Sequence, residues 1–216
     1  MPSVREAIRT KIPFSTPIYE AVTARRRMVP TPGKVKQILA QGHPVKLDIG
    51  GGGPGRGGFT SIDVIQESDL YWDLRSGIPF PDSSVDVVYS SHLFEHLTFE
   101  QGQTVLAECL RVLKPGGLFS IAVPNARMYI EVYLGIREVP QEYFGWKPAF
   151  NSTTAIDAIN YIAYMDGEHQ YMFDIENLVH VLARAGFTDV KARDFDSTID
   201  VQEREYESIY AEGVKP

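Results

Sequence analysis

From Leu47 to Asp63 the sequence reads LDIGGGGPGRGGFTSID, a short apolar run with an acid inside it, followed by seven glycines in nine positions. Glycine permits positive φ and lets a ligand approach the backbone with no Cβ in the way. An apolar strand that stops in such a loop belongs in an open α/β sheet, where the crevice at the carboxyl ends of the strands receives the ligand. Gly50, Gly52 and Gly55 also match the G-x-G-x-x-G dinucleotide fingerprint, which discriminates little by itself.

Two features separate the adenosine-binding options. A nicotinamide site requires a helix directly after the glycines and an acid about 20 residues on. Here Asp63 follows Gly50 by thirteen positions, and RGGFTSID carries no apolar helical stripe. The first helix is expected to be absent or vestigial. Asp48, two residues before the first glycine, sets negative charge beside a diphosphate but suits a ligand with an ammonium group. A nucleoside with an amino-acid tail meets these demands, which favours S-adenosylmethionine over NAD(P).

The rest of the chain alternates between the two periodicities. PVKLDIG (44–50), TSIDV (60–64), DLYWDL (69–74), SVDVVYSS (84–91) and LFSIAVPN (118–125) read as strands. GKVKQILAQG (33–42) reads as a helix. QTVLAECLRVLKPGG (103–117) is a helix with Leu106, Cys109, Leu110 and Leu113 on one face, Lys114 in its last turn and Pro115-Gly116-Gly117 as its stop. After an aromatic-rich stretch, 126–171, with no clean strand, the helix IENLVHVLARAGF (175–187) and the strands DVKARDF (189–195) and SIYAEGVK (208–215) follow. This order predicts a mostly parallel α/β sheet with helices on both faces. The last two strands leave no room for a crossover helix and are expected to form an antiparallel edge hairpin.

Four blocks together resemble the class I S-adenosylmethionine-dependent methyltransferases, in the small type with a shortened first helix found among sugar, glycolipid and natural-product methyltransferases. They are KLDIGGGGPGRGGFTSID, WDLRSGIPFPDSSVDVVYSSHLFEHL, LAECLRVLKPGGLFSIAVPN and GEHQYMFDIENLVHVLARAGF. Residues 1–44 carry no signature of the family and are expected to form an amino-terminal helical cap; the resemblance implies a Rossmann-like fold over 45–216 with 126–171 as a lid. It implies that Asp48 and the backbone of Gly50, Gly51 and Gly52 hold the methionine moiety, and that Asp63 with Val64 takes the ribose. Asp73 and Leu74 would face the adenine, and Ser90 and Ser91 would close the pocket. Gly51 stands where the family frequently has cysteine.

SSHLFEHL (90–97) contains H-x-x-E-H, a zinc-peptidase string, with His92 and His96 able to share a helical face and Glu168 or His169 as a further ligand. That reading leaves the glycine loop and the spaced aspartates without a role, so His96 and Glu95 are expected to be structural. An alcohol acceptor needs a base, and His169 is the first candidate and His92 the second. Asp166 and Glu168 are only two positions apart, and no metal site is expected.

Net charge of −7 and one short basic knot, TARRRMVP (23–30), argue against a nucleic-acid partner. The lone Cys109 lies among apolar residues and reads as a small buried hydrophobe. No run has the length of a signal peptide core or a membrane span, so a soluble cytoplasmic enzyme with a small-molecule or glycan acceptor is expected. The mixed apolar and basic amino terminus suits either a pocket cap or peripheral contact with an anionic membrane. Beside methyl transfer, an NAD(P)-dependent oxidoreductase and a non-catalytic adenosyl-binding module stay open.

Overall fold

The computed structural model describes residues 31–216; most of the expected cap, the basic knot and the candidate membrane-contact segment lie outside them. The described elements are α1 (Thr31–Leu39), β1 (Lys46–Ile49), β2 (Thr60–Asp63), β3 (Leu70–Tyr71), β4 (Val85–Ser91), α2 (Phe99–Val112), β5 (Leu113–Pro124), α3 (Ala126–Tyr133), α4 (Ile156–Tyr164), α5 (Ile175–Ala185), β6 (Thr188–Arg193) and β7 (Ser208–Val214). One sheet runs β3-β2-β1-β4-β5-β7-β6. The first five strands pair in parallel, and β7 lies antiparallel to both β5 and β6. This is the mostly parallel α/β sheet that the periodicity predicted, with the terminal hairpin on the expected edge.

The two faces of the sheet differ. Leu47, Ile49, Ile62, Val88, Phe119 and Ile121 are fully or almost fully buried. Burial of each such side chain contributes about 1.5–3 kcal/mol. α2 and α5 pack on each other and on the sheet, with Phe119 stacked on Phe187 at 5.1 Å between ring centroids. The residues between these apolar ones form a buried polar row across the strands: Asp48 is in register with Ser61 and Tyr89, and Tyr89 with Ser120.

α2 starts earlier than expected, because Thr98 and Gln101 form a reciprocal capping box. It also ends earlier, at Val112, so Lys114 is not in its last turn. Leu113 turns to extended backbone and pairs with Val85. Lys114 then sits in β5 and reaches Asp86 at 2.8 Å. Strand pairing takes these residues before Pro115-Gly116-Gly117 can act as the stop. β3 is similarly cut to two residues, since Asp73 caps a short turn at Leu74–Ser76. Cys109 is fully buried in α2, as expected, and burial pushes its thiol pKa up.

The 126–171 segment has its own small core of Tyr129, Phe144, Tyr161, Met128 and Ile162. Phe144 stacks on Phe150 at 3.9 Å between centroids, and Tyr129 donates to Glu207 Oε2 at 3.1 Å. Tyr143 stacks on Tyr206 at 4.1 Å. Five of the nine aromatics of the stretch therefore hold the segment together and fasten it to the approach to β7. Among the described residues, no helix is long and apolar enough to cross a membrane.

Candidate functional site

The glycine loop joins β1 to β2 with no helix between them. At its start Gly50 has φ +75° and donates its N–H to the Ile62 carbonyl at 2.9 Å. Gly52, at φ +68°, donates to Asp63 Oδ2 at 3.0 Å. Asp69 fastens the far limb, its Oδ2 accepting from the backbone of Gly55 and of Ser61, both at 3.0 Å. Two acids thus hold the loop open as a shelf at the carboxyl ends of β1 and β2. The helix N-terminus that would carry a dinucleotide's diphosphate is missing.

Asp48 lies beneath this shelf. It is 4% exposed, and its Oδ1 has no hydrogen-bond partner. Burial, with Asp63 adding like charge and Arg56 opposing, pushes its pKa up to about 6. Gly51 runs against the carboxylate so closely that a Cβ there would stand 2.7 Å from Asp48 Oδ2. Asp48, Arg56, Phe59, Tyr89 and Asp200 line a cavity of about 200 Å³. An unpaired buried carboxylate is costly, and a ligand ammonium is one group that would offset the cost.

The other expected cofactor residues occupy neighbouring strand ends. Asp63 ends β2, followed by half-exposed Val64. Asp73 grips Arg75 through both carboxylate oxygens, at 2.8–3.2 Å, which holds its carboxyl below the usual range. Leu74 is buried beside it. Ser90, at the end of β4, donates its hydroxyl to the Ile49 carbonyl at 3.2 Å and ties β4 to β1. Ser91 is held by Arg204, whose guanidinium reaches its carbonyl at 3.2 Å and its Oγ at 3.3 Å. Arg204 had no sequence signal: it stands in a loop that reads as solvent-facing, and only the return of the chain before β7 brings it to β4.

The H-x-x-E-H string does not form the helix that a zinc peptidase needs. His92 takes a left-handed backbone, φ +53°, and only Phe94–His96 make a short 3₁₀ turn. The two histidines therefore share no helical face. His92 Nε2 meets Ser208 Oγ at 2.8 Å, and its Nδ1 lies 3.5 Å from Glu95 Oε1. Burial and the nearby Arg204 lower its pKa to about 3, so it is neutral. His96 Nδ1 instead donates to the Glu168 carbonyl at 3.0 Å. His169 is 5% exposed, donates from Nδ1 to the Ile162 carbonyl at 2.8 Å, and meets the His96 ring edge-on. Burial lowers its pKa. Among the described residues Asp166 joins no cluster able to hold a metal.

Comparison with known proteins adds to this geometry. Residues 66–121 match the family described as a methyltransferase domain. A probable S-adenosylmethionine-dependent methyltransferase of Mycolicibacterium smegmatis is 32% identical over 134 residues, covering 60% of this chain and 46% of that protein. A ubiquinone/menaquinone biosynthesis C-methyltransferase of Desulfotalea psychrophila is 31% identical over 151 residues, covering 64% of this chain and 58% of that protein. The chain thus spans about half the length of these curated relatives. In fold it is similar to phosphoethanolamine N-methyltransferase 2 of Haemonchus contortus in complex with S-adenosyl-L-methionine. The TM-score is 0.51 at 14% identity, over 100% of this chain and 60% of that one.

Proposed function

We propose that this chain is a class I S-adenosylmethionine-dependent methyltransferase domain that binds S-adenosylmethionine along the carboxyl ends of β1 to β4 and methylates a hydroxyl of a sugar, glycolipid or small natural product. The observation that carries the cofactor reading is Asp48, buried below the glycine shelf with an unpartnered oxygen. In this reading Asp48 and the Gly50–Gly52 backbone take the amino-acid end, and Asp63 and Val64 the ribose. Asp73 and Leu74 take the adenine, with Ser90 and Ser91 at the floor. When bound, the cofactor supplies an electrophilic methyl group on a sulfonium.

This reading makes cofactor affinity depend on pH. Asp48 has a raised pKa, about 6 against 3.8 in the unfolded chain, so the free protein holds this proton more tightly than the unfolded chain does and is protonated here below about pH 6. Stability is fully expressed below pH 3.8 and declines as pH rises through about 6, where the buried carboxyl ionises. An ammonium beside it reverses the preference and expels the proton. S-Adenosylmethionine is therefore expected to bind up to about tenfold more tightly at pH 7 than at pH 5, the ratio of the ionised fractions of a group with a pKa of about 6. Asp48→Asn should flatten that slope. A slope that persists in the variant would assign it to another group.

A hydroxyl loses its proton as the new C–O bond forms, and His92 is the residue we assign to receive it. It follows Ser90 and Ser91 at the end of β4, with Ser208 on one ring nitrogen and Glu95 near the other; its pKa, held near 3 by burial in the free protein, must rise on acceptor binding for it to take the proton. His92→Ala is expected to lower turnover about 10²–10⁴-fold while leaving cofactor affinity within a few-fold. Equal turnover would remove it as the base. The 126–171 segment, with its aromatic core, is read as the lid over the acceptor.

Calorimetric titration with S-adenosylmethionine, S-adenosylhomocysteine and NAD⁺ in parallel tests the cofactor. Binding of the first two without the third supports the proposal, and the reverse pattern restores the oxidoreductase. Cofactor binding with no turnover across hydroxyl, amine and activated-carbon acceptors would favour a non-catalytic adenosyl-binding module. The carbon acceptors belong in the panel because the Desulfotalea relative is named a C-methyltransferase.

A further inference from the structure

We propose that Glu95, His96 and His169 form a binding site for one divalent transition-metal ion of the zinc type. The three residues come from two distant stretches, the turn after β4 and the end of the 126–171 segment. A ligand-capable atom of each lies within 4.8 Å of the others, and His96 Nε2 is 3.9 Å from Glu95 Oε1.

Hydrogen bonding prepares both imidazoles for a metal. A carbonyl can only accept, so the contacts to Glu168 and Ile162 place the proton on Nδ1 of His96 and of His169. Each Nε2 is left with its lone pair. An imidazole whose Nδ1–H is anchored on a carbonyl is the usual oriented metal ligand. Glu95 supplies the independent sign that something is to be bound. It is 2% exposed, and its Oε2 has no hydrogen-bond partner. Edge-on packing of two histidine rings accounts for the imidazoles but leaves that buried oxygen unexplained. A cation held by Oε1, the oxygen 3.9 Å from His96 Nε2, would balance the charge of this buried carboxylate.

The donor set selects the ion. Two imidazole nitrogens and one carboxylate suit zinc and its first-row neighbours, whereas magnesium and calcium prefer oxygen. His96 has 40% of its side chain exposed, which gives an ion a way in and leaves a fourth position for water or a substrate oxygen. Around zinc the ligand atoms would stand roughly 3–3.5 Å apart, so the ion draws the three residues together. The Glu95 carbonyl already accepts from the backbone of Gln170, at 2.7 Å, and of Tyr171, at 3.2 Å. Metal binding would lock the same junction between the aromatic segment and the turn after β4.

The test uses the metal-stripped chain titrated with Zn²⁺, Co²⁺ and Mg²⁺, read by calorimetry and by the visible absorption of Co²⁺. Expected are one Zn²⁺ per chain, Co²⁺ in the same site, no competition from Mg²⁺, and a higher melting temperature with Zn²⁺. His96→Ala and Glu95→Gln should each weaken Zn²⁺ binding by at least about 100-fold. The double variant H43A/H180A, which removes the two histidines outside the string and the cluster, both exposed, should bind as the original does. Circular dichroism checks that each variant folds. Absence of stoichiometric Zn²⁺ binding by the folded chain overturns the proposal, as does unchanged affinity in both His96→Ala and Glu95→Gln. S-Adenosylmethionine titrated in the same samples keeps the two readings separate: cofactor binding without zinc binding removes only the metal site.

Discussion

Gly50→Val is expected to give a folded protein that no longer binds S-adenosylmethionine, with affinity reduced at least about 100-fold. Gly50 has φ +75°, and a Cβ built there stands 2.8 Å from Leu93 Cβ. A β-branched residue resists that backbone region most. The strain, of order 1–3 kcal/mol, is relieved by moving the loop, which breaks the bond from Gly50 N–H to the Ile62 carbonyl and displaces the shelf above Asp48. A domain with typical stability of about 5–15 kcal/mol survives such a cost. Gly53→Ala is the matched control, because Gly53 has no positive φ and nothing within 4 Å of an added Cβ. Calorimetry with circular dichroism on both proteins decides the matter. Normal binding by folded Gly50→Val would mean that the ligand does not lie on this loop.

Asp200→Ala should cost about 3–5 kcal/mol of stability, the range for removing one partner of a buried ion pair. The Asp200 side chain is fully buried and that of Arg193 is 10% exposed. Arg193 meets both carboxylate oxygens of Asp200, while Tyr89 donates to Oδ1 at 3.0 Å and the Asp196 backbone to Oδ2 at 2.8 Å. The truncation leaves a guanidinium, a phenol and an amide without their acceptor inside the protein. It also frees the turn that carries Arg204 to Ser91. The denaturant midpoint and slope measure the loss. Asp200→Asn keeps the shape and removes the charge, so it separates packing from electrostatics. A loss below about 1 kcal/mol for Asp200→Ala would show that water replaces the carboxylate without difficulty.

Of the candidate site, the part that lies at strand ends was legible because it is local. A glycine after an apolar strand, an acid at a strand terminus and the short interval to Asp63 all act within one strand–loop–strand unit, where spacing along the chain is spacing in the crevice. Asp48, Asp63 and Ser90 therefore lie at the ends of β1, β2 and β4, with Gly50–Gly52 directly after β1, where the spacing and the family resemblance together put them. Asp73 likewise follows β3, although its carboxylate is already engaged by Arg75. The two histidines of H-x-x-E-H show the complementary limit. An i, i+4 pair shares a face only on a helix, and the left-handed backbone at His92 comes from the way the chain leaves β4, which no periodicity records.

Taken alone, the sequence determined the sheet, the parallel order with its antiparallel edge, the missing first helix and the glycine shelf. Each follows from periodicity or from backbone freedom, properties of consecutive residues. Only the tertiary structure decided that Asp48, Ser61, Tyr89 and Ser120 form a buried polar row, that Arg193 and Asp200 join it, that Arg204 holds Ser91, and that Glu95, His96 and His169 converge. Those groups come from segments up to a hundred or more positions apart. A side chain's partner across such a distance depends on which strands are neighbours and on register, and a slip of one residue in β1, β2, β4 or β5 would turn that strand's member of the polar row to the opposite face.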